Sequence, residues 1–177
     1  RDMKRIIEPL KMFGAKFEHN NYKLPIKIFG TKKLKAINYT ENLGSAQCKS
    51  AIMLASLKTP GVTKLKCLPS RNHTELMFKN VIKTPISIKK EKNYDLINLK
   101  GLKQFKSFNY EIPGDISSAA FFIILTLLAK NSSLKIKNVN INNTRIGIIK
   151  ILNKMGAKIK YANKKKYKGE LIADIIV

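Results

Sequence analysis

Four short segments of this chain combine residue types that could carry chemistry, and the first two suit an anion. Gly44-Ser45-Ala46-Gln47 heads an apolar helical pattern. Small residues let a ligand approach the backbone there, and the first N–H groups of a helix are unsatisfied donors carrying partial positive charge. Ser45 and Gln47 add side-chain donors, and Ser45 also suits the N-cap. In Ser70-Arg71-Asn72-His73-Thr74-Glu75, Asn72 and Glu75 have the spacing of a capping box, which leaves Arg71 just outside the helix and free to reach an anion. His73 could act as a general acid or base, but a surface histidine in a first helical turn more often does neither. Pro113-Gly114-Asp115-Ile116-Ser117-Ser118 is a turn feeding a very apolar helix, with Asp115 or Ser117 as its cap. Asn142-Asn143-Thr144-Arg145-Ile146-Gly147 is a loop entering another helix, with Thr144 as cap and Arg145 near its start.

Other chemistries are poorly supplied. His19, His73, Cys48 and Cys67 have no zinc-ligand spacing, and the chain contains no P-loop or dinucleotide fingerprint. Two cysteines make no disulfide framework and suit a reducing compartment. The 177 residues carry 35 Lys and Arg against 11 Asp and Glu, a formal charge of +24. Most of these cations read as scattered, solvated lysines. The arginines are few (Arg1, Arg5, Arg71 and Arg145) and more informative, because a forked guanidinium grips carboxylate or phosphate bidentately where lysine cannot. The longest apolar stretch, Ala119–Ala129, is broken by Thr126 and is too short to span a membrane. No apolar segment of signal-peptide type follows the first residues. The start at Arg1, without an initiator methionine, implies a piece of a longer chain. Residue types alone lead to an anion-binding α/β repeat domain.

The elements that must position these segments recur with a fixed period. Leu10-Lys11-Met12-Phe13-Gly14-Ala15 returns as Leu152-Asn153-Lys154-Met155-Gly156-Ala157, two steps of about 71 residues later, with a degenerate middle copy at Leu76–Asn80. The helix starting at Ser45 is echoed by the one starting at Ser117. Each module predicts an amphipathic helix, short strands, a helix apolar on most faces that must be buried on several sides, and a closing strand. The first module has a helix over Met3–Phe13 with Gly14 as its left-handed stop. Strands at Leu24–Phe29 and Leu34–Tyr39, a helix near 45–58 and a strand at Val62–Cys67 follow. The second has a helix over 73–80, strands at Ile86–Ile88, Asp95–Leu99 and Phe105–Tyr110, a buried helix over 116–129 and a strand at Ser133–Val139. The third begins with a helix over 144–155 and stops at a strand ending in Val177.

On these motifs the chain resembles the EPSP synthase family of 3-phosphoshikimate 1-carboxyvinyltransferases, in its bacterial Ser-Ala-Gln class. The matching stretches are Met3–Leu10, Ser45–Ala51, Arg71–Glu75, Pro113–Phe122 and Asn142–Gly147, in family order across the whole chain. The resemblance implies an inside-out α/β barrel fold of repeated βαβαββ-like units arranged in two lobes. Residues 1–112 would be the later part of the first lobe and 113–177 the start of the second. It implies transfer of the enolpyruvyl group of phosphoenolpyruvate to the 5-hydroxyl of shikimate 3-phosphate, by addition and then elimination of phosphate, in aromatic amino acid biosynthesis.

The same resemblance assigns substrate contacts: Arg1 to phosphoenolpyruvate, Ser45 and Ala46 to shikimate 3-phosphate, Gln47 to both, and Arg71 to the shikimate phosphate. Asp115 and Arg145 match family motifs but read as architectural. Several positions depart from the family pattern: Asp2 for Pro, Asn72 for Asp, Asn80 for Gly, Asn143 for Pro and Ile146 for Thr. The catalytic acid and base of the family fall outside this chain, so no catalytic residue is assigned and the 177 residues alone are expected to be inactive. No cofactor, metal, nucleic acid or membrane is expected as a partner, and the expected parent is a cytoplasmic monomer. Two alternatives stand beside this reading: a UDP-N-acetylglucosamine enolpyruvyl transferase, which should carry an exposed loop cysteine, and a basic nucleic-acid-binding module, which should carry an aromatic platform.

Overall fold

A computed structural model describes residues 2–177, which form two compact units, the first ending at Ser107 and the second spanning Phe108–Val177. In the first unit, helix α1 (Lys4–Met12) turns Ile7 and Pro9 inward. It stops at Gly14, where the N–H of Gly14 donates to Lys11 O at 2.9 Å and the N–H of Ala15 to Leu10 O at 3.2 Å. This paired closure is a Schellman motif, and it needs a residue at positive φ, which Gly14 supplies at +109°. An antiparallel hairpin follows, β1 (Lys16–Asn20) and β2 (Lys23–Phe29), turning through Asn21 and Tyr22, both at positive φ.

Next comes a complete βαβαββ unit: β3 (Asn38–Glu41), α2 (Ala46–Ser56), β4 (Val62–Cys67), α3 (His73–Met77), β5 (Ile86–Lys90) and β6 (Asp95–Lys100). The sheet order is β3-β4-β6-β5, with β3 and β4 parallel across the α2 crossover and the other pairs antiparallel. Alternation along β4 sends Thr63, Leu65 and Cys67 inward, opposite Leu99, Ile97 and Asp95 of β6. They meet Ile52, Met53 and Leu57 at the α2 end, Phe13 after α1, and Phe78.

The second unit repeats this plan. Helix α4 (Ile116–Leu128), strand β7 (Lys135–Asn140), helix α5 (Gly147–Lys154) and strands β8 (Lys160–Tyr167) and β9 (Glu170–Ile176) form a sheet in the order β7-β9-β8. Gly114 stands in for the missing first strand. It bridges Val139 in parallel, donating to Asn138 O and accepting from Asn140 N, both at 2.9 Å. The order Gly114, β7, β9, β8 therefore reproduces β3, β4, β6, β5. Helix α5 also closes as α1 does, with Gly156 at φ +98° and bonds from Gly156 N to Asn153 O and Ala157 N to Leu152 O. The repeated-unit α/β fold expected from the sequence is the fold observed.

Four local expectations are corrected. Helix α4 is not buried on several sides: Ile116, Ala119 and Ile123 face the core, while Phe121 and Leu128 are 78% and 80% exposed and Phe122 and Leu125 are also exposed. Within this unit the sheet and α5 cover one face of α4, and no other described element of the unit covers the rest. Phe105–Tyr110 forms no strand, because no sheet edge pairs with it. Side-chain contacts hold its end instead: the Tyr110 ring lies 5.5 Å from that of Tyr167, and Lys168 donates to Asn109 O. Asn72 precedes α3 but its side chain makes no capping bond to it, and the Glu75 side chain turns into the core. Thr144 is not a helix cap. Its N–H and hydroxyl both bond Asn142 Oδ1, at 2.9 and 2.7 Å, in a turn that delays α5 to Gly147.

Candidate functional site

The first segment singled out in the sequence lies where β3 ends and α2 begins. Buried Glu41 organises this turn: its Oε1 accepts from the N–H groups of Leu43 at 2.9 Å and Ser45 at 3.1 Å. Gly44, at φ +61°, lets the chain swing into the helix. Ser45 has extended backbone, and its Oγ accepts from Cys48 N at 3.4 Å, so its hydroxyl is the N-cap of α2. Ala46 and Gln47 are thus the first two helical residues.

The second segment follows β4 by the same logic. Leaving the sheet after Cys67, the chain bonds Leu68 N to Glu41 O and runs through Arg71 into α3. The two helix starts approach each other, and Ala46, Gln47, Ser50, Arg71, His73 and Thr74 line an open cavity of about 230 Å³. Its lining holds one permanently charged cation, a histidine, an amide and two hydroxyls, and no carboxylate. That composition, at the positive end of α2, suits an anionic ligand.

Contacts beneath the cavity fix its walls. Ser50 Oγ and Thr74 Oγ1 lie 2.6 Å apart, and Lys49 Nζ meets Glu75 Oε1 at 2.6 Å inside the core. From α1, Arg5 Nη2 donates to Gln47 Oε1 at 2.9 Å. These tying residues were not separated from the motifs in the sequence. Arg5 stands out in the sequence as one of four arginines but with no partner to aim at, whereas Lys49 is one more lysine in a lysine-rich chain.

Ala46, Gln47 and Arg71 are therefore brought together. Ser45 is not among the lining residues and its hydroxyl accepts the helix-cap bond, and Arg1 lies outside the described residues. In the second unit Asp115 caps α4, accepting from Ser118 N at 3.1 Å, and Arg145 Nη2 donates to Asp115 Oδ1 at 2.9 Å and to Ser117 Oγ at 2.5 Å. The Asp115 carboxyl sits below its ordinary range because these serine and arginine donors outweigh its desolvation. Both residues tie the start of α4 to the turn before α5. Among the described residues, no group of three His, Cys, Asp or Glu side chains could hold a metal ion, and no helix is long and apolar enough to cross a membrane.

Repeated βαβαββ units with an anion-suited cavity at paired helix starts define an α/β protein of the enolpyruvyl transferase architecture. The enolpyruvyl transferase NikO of Streptomyces tendae shares that fold over 96% of this chain, with a TM-score of 0.63 at 10% identity, covering 41% of that protein. The particular family is narrower. Residues 1–172 match the family model of EPSP synthase (3-phosphoshikimate 1-carboxyvinyltransferase), and the chain belongs to that family. It is 46% identical to the 3-phosphoshikimate 1-carboxyvinyltransferase of Caldicellulosiruptor bescii, over 99% of this chain and 41% of that one. The corresponding protein of Ruthia magnifica subsp. Calyptogena magnifica is 44% identical, over 99% of this chain and 39% of its own. EPSP synthase from Acinetobacter baumannii superposes with a TM-score of 0.80 at 37% identity, covering 100% of this chain and 39% of that structure. The chain thus spans about two fifths of the length of the relatives it matches.

Proposed function

We propose that this chain supplies part of the substrate site of a 3-phosphoshikimate 1-carboxyvinyltransferase, and that the cavity at the α2 and α3 starts receives shikimate 3-phosphate. In the reaction, the 5-hydroxyl of shikimate 3-phosphate gives up its proton as its oxygen adds to C2 of phosphoenolpyruvate, the C2=C3 π bond opens and C3 gains a proton. Loss of a C3 proton and of phosphate then restores the double bond. Both substrates are phosphorylated carboxylates, which calls for fixed cations and hydrogen-bond donors. Arg71 pairs with the shikimate phosphate, the α2 N-terminus contributes the Ala46 N–H and the hydroxyl hydrogen of Ser45, whose N–H is held by Glu41, and Gln47 serves both substrates. Arg1 is proposed to grip phosphoenolpyruvate.

The observation that carries this reading is that Ala46, Gln47 and Arg71, 24 residues apart in sequence at the nearest, line one cavity without a carboxylate. No proton donor or acceptor is assigned within the chain, so the 177 residues alone bind without turning over. The two units are read as parts of two lobes, and the parent enzyme as a cytoplasmic monomer. Calorimetric titration of shikimate 3-phosphate, with Arg71→Ala and Gln47→Ala beside the parent chain, tests the site. Binding weakened in both variants is expected, whereas affinity unchanged in both removes these residues from it.

A further inference from the structure

The bond between Arg5 and Gln47 constrains more than packing. A guanidinium has only donors, so the atom it meets on Gln47 must be the amide oxygen. That contact is 2.9 Å long and joins α1 to the start of α2, 42 residues apart. Arg5 is no freely swinging surface cation: its Nε is shielded from solvent and has no hydrogen-bond partner among the described residues. With Oε1 held by Arg5, the Gln47 NH2 is turned away from that cation, while Gln47 itself lines the cavity.

We propose that Arg5 is the positioning residue for Gln47, fixing its amide so that the NH2 faces the cavity and donates to an anionic oxygen of the ligand. This rests on the reading of the cavity as a phosphate and carboxylate site. Without Arg5, Gln47 can present either end of its amide, and the acceptor end repels an anion. With Arg5, the amide is also polarised in the direction that strengthens its N–H donors. Arg5 thus passes cationic character to the ligand through an intervening amide without touching it.

A double-mutant cycle with shikimate 3-phosphate separates this role from a structural one. Gln47→Ala and Arg5→Ala are each expected to weaken binding roughly tenfold, the loss of one oriented hydrogen bond. The double variant should bind no worse than Gln47→Ala alone, and Arg5→Lys should recover part of the loss. Additive losses, or an Arg5→Ala variant that binds normally, overturn the proposal. A ligand-free readout applies whatever the affinity. The Gln47 side-chain amide nitrogen resonance, identified by its disappearance in Gln47→Glu, should move in Arg5→Ala and stay near its original position in Arg5→Lys. A resonance unmoved by Arg5→Ala also overturns it. If Gln47→Ala and Arg71→Ala both leave binding intact, the site reading falls, and the amide resonance still judges Arg5.

Discussion

Lys49 and Glu75 meet at 2.6 Å in the interior of the first unit, with the lysine side chain 0% and the glutamate 4% exposed. The pair joins α2 to α3 one layer beneath the residues that line the cavity. A buried ammonium and carboxylate tolerate each other because desolvation is offset by their mutual attraction, and removing one leaves the other stranded. Glu75 Oε2 has no hydrogen-bond partner among the described residues, so the carboxylate depends on this contact. Lys49→Met is therefore expected to lower unfolding free energy by about 3–5 kcal/mol. Lys49→Met with Glu75→Leu should return most of it, since two well-packed apolar groups leave no unpaired charge. Urea denaturation of the three proteins checks this, and a double variant as unstable as the single one would show that the charges matter only through shape.

The cysteines should be nearly inert in the native state. Cys67 ends β4 inside the core, and burial pushes its thiol up to about 11, against the opposing pull of the Lys49 ammonium. At pH 8 about one thiol in a thousand is then ionised, so alkylation by iodoacetamide should run more than about 100-fold slower than at a free cysteine. Cys48 is buried at the start of α2 and is shielded by access. Mass spectrometry after a timed alkylation should find neither thiol modified until urea unfolds the chain. Rapid labelling of Cys67 in the folded protein would contradict the packing of the β4 end.

Acid stability of the second unit should turn on Asp174. Its carboxylate, on the central strand β9, accepts from Asn138 N at 3.0 Å, from Asn163 Nδ2 at 2.8 Å and from Lys135 Nζ at 3.1 Å. Asn138 and Asn163 are the positive-φ residues where β7 and β8 shift register, so one carboxylate secures irregularities on both neighbouring strands. These donors, led by the Asn138 N–H, lower its pKa from 3.8 to about 2. A depressed folded pKa means the stabilisation is fully present above 3.8 and disappears as pH falls through about 2. Asp174→Asn should be less stable at pH 6 and should lose less stability than the parent between pH 4 and 2. Parallel pH profiles for the two proteins would rule this out.

What was legible in the sequence follows from where the physics is local. Strand Val62–Cys67 was placed to the residue because its alternation and the preceding Pro60-Gly61 turn agree. The repeat was legible because Gly14 and Gly156 end their helices by the same backbone closure. The middle copy was blurred because α3 runs into a π-helical turn at Phe78–Ile82. Its left-handed stop is Lys83, at φ +58°, rather than a glycine at position 80. Strand β8 was hidden by its lysines, which suit a sheet edge but mask alternation. Phe105–Tyr110 failed in the opposite sense, since alternation makes a strand only where an edge awaits it. At the site, Arg71 and Gln47 were visible as types, but the Arg5 and Lys49 contacts are tertiary and left no mark in local spacing.

The two helix-ending glycines should differ in what they tolerate. Both hold the left-handed conformation that an L side chain adopts only with strain, at φ +109° for Gly14 and +98° for Gly156. A Cβ at Gly156 would meet no heavy atom within 4 Å, so Gly156→Ala should cost only the backbone term, about 1–2 kcal/mol. At Gly14 the same Cβ would lie 3.0 Å from Thr31 Cγ2 and 3.3 Å from Lys33 O. Gly14→Ala adds this crowding, and the backbone carbonyl of Lys33 cannot swing aside as a side chain can. It should therefore be the more destabilising of the two, and Thr31→Ser should restore part of the difference by removing the nearer methyl. Thermal melts of Gly14→Ala, Gly156→Ala and the Gly14→Ala/Thr31→Ser pair decide the matter. Equal losses at the two glycines would mean that the loop carrying Thr31 moves away from α1 at no cost.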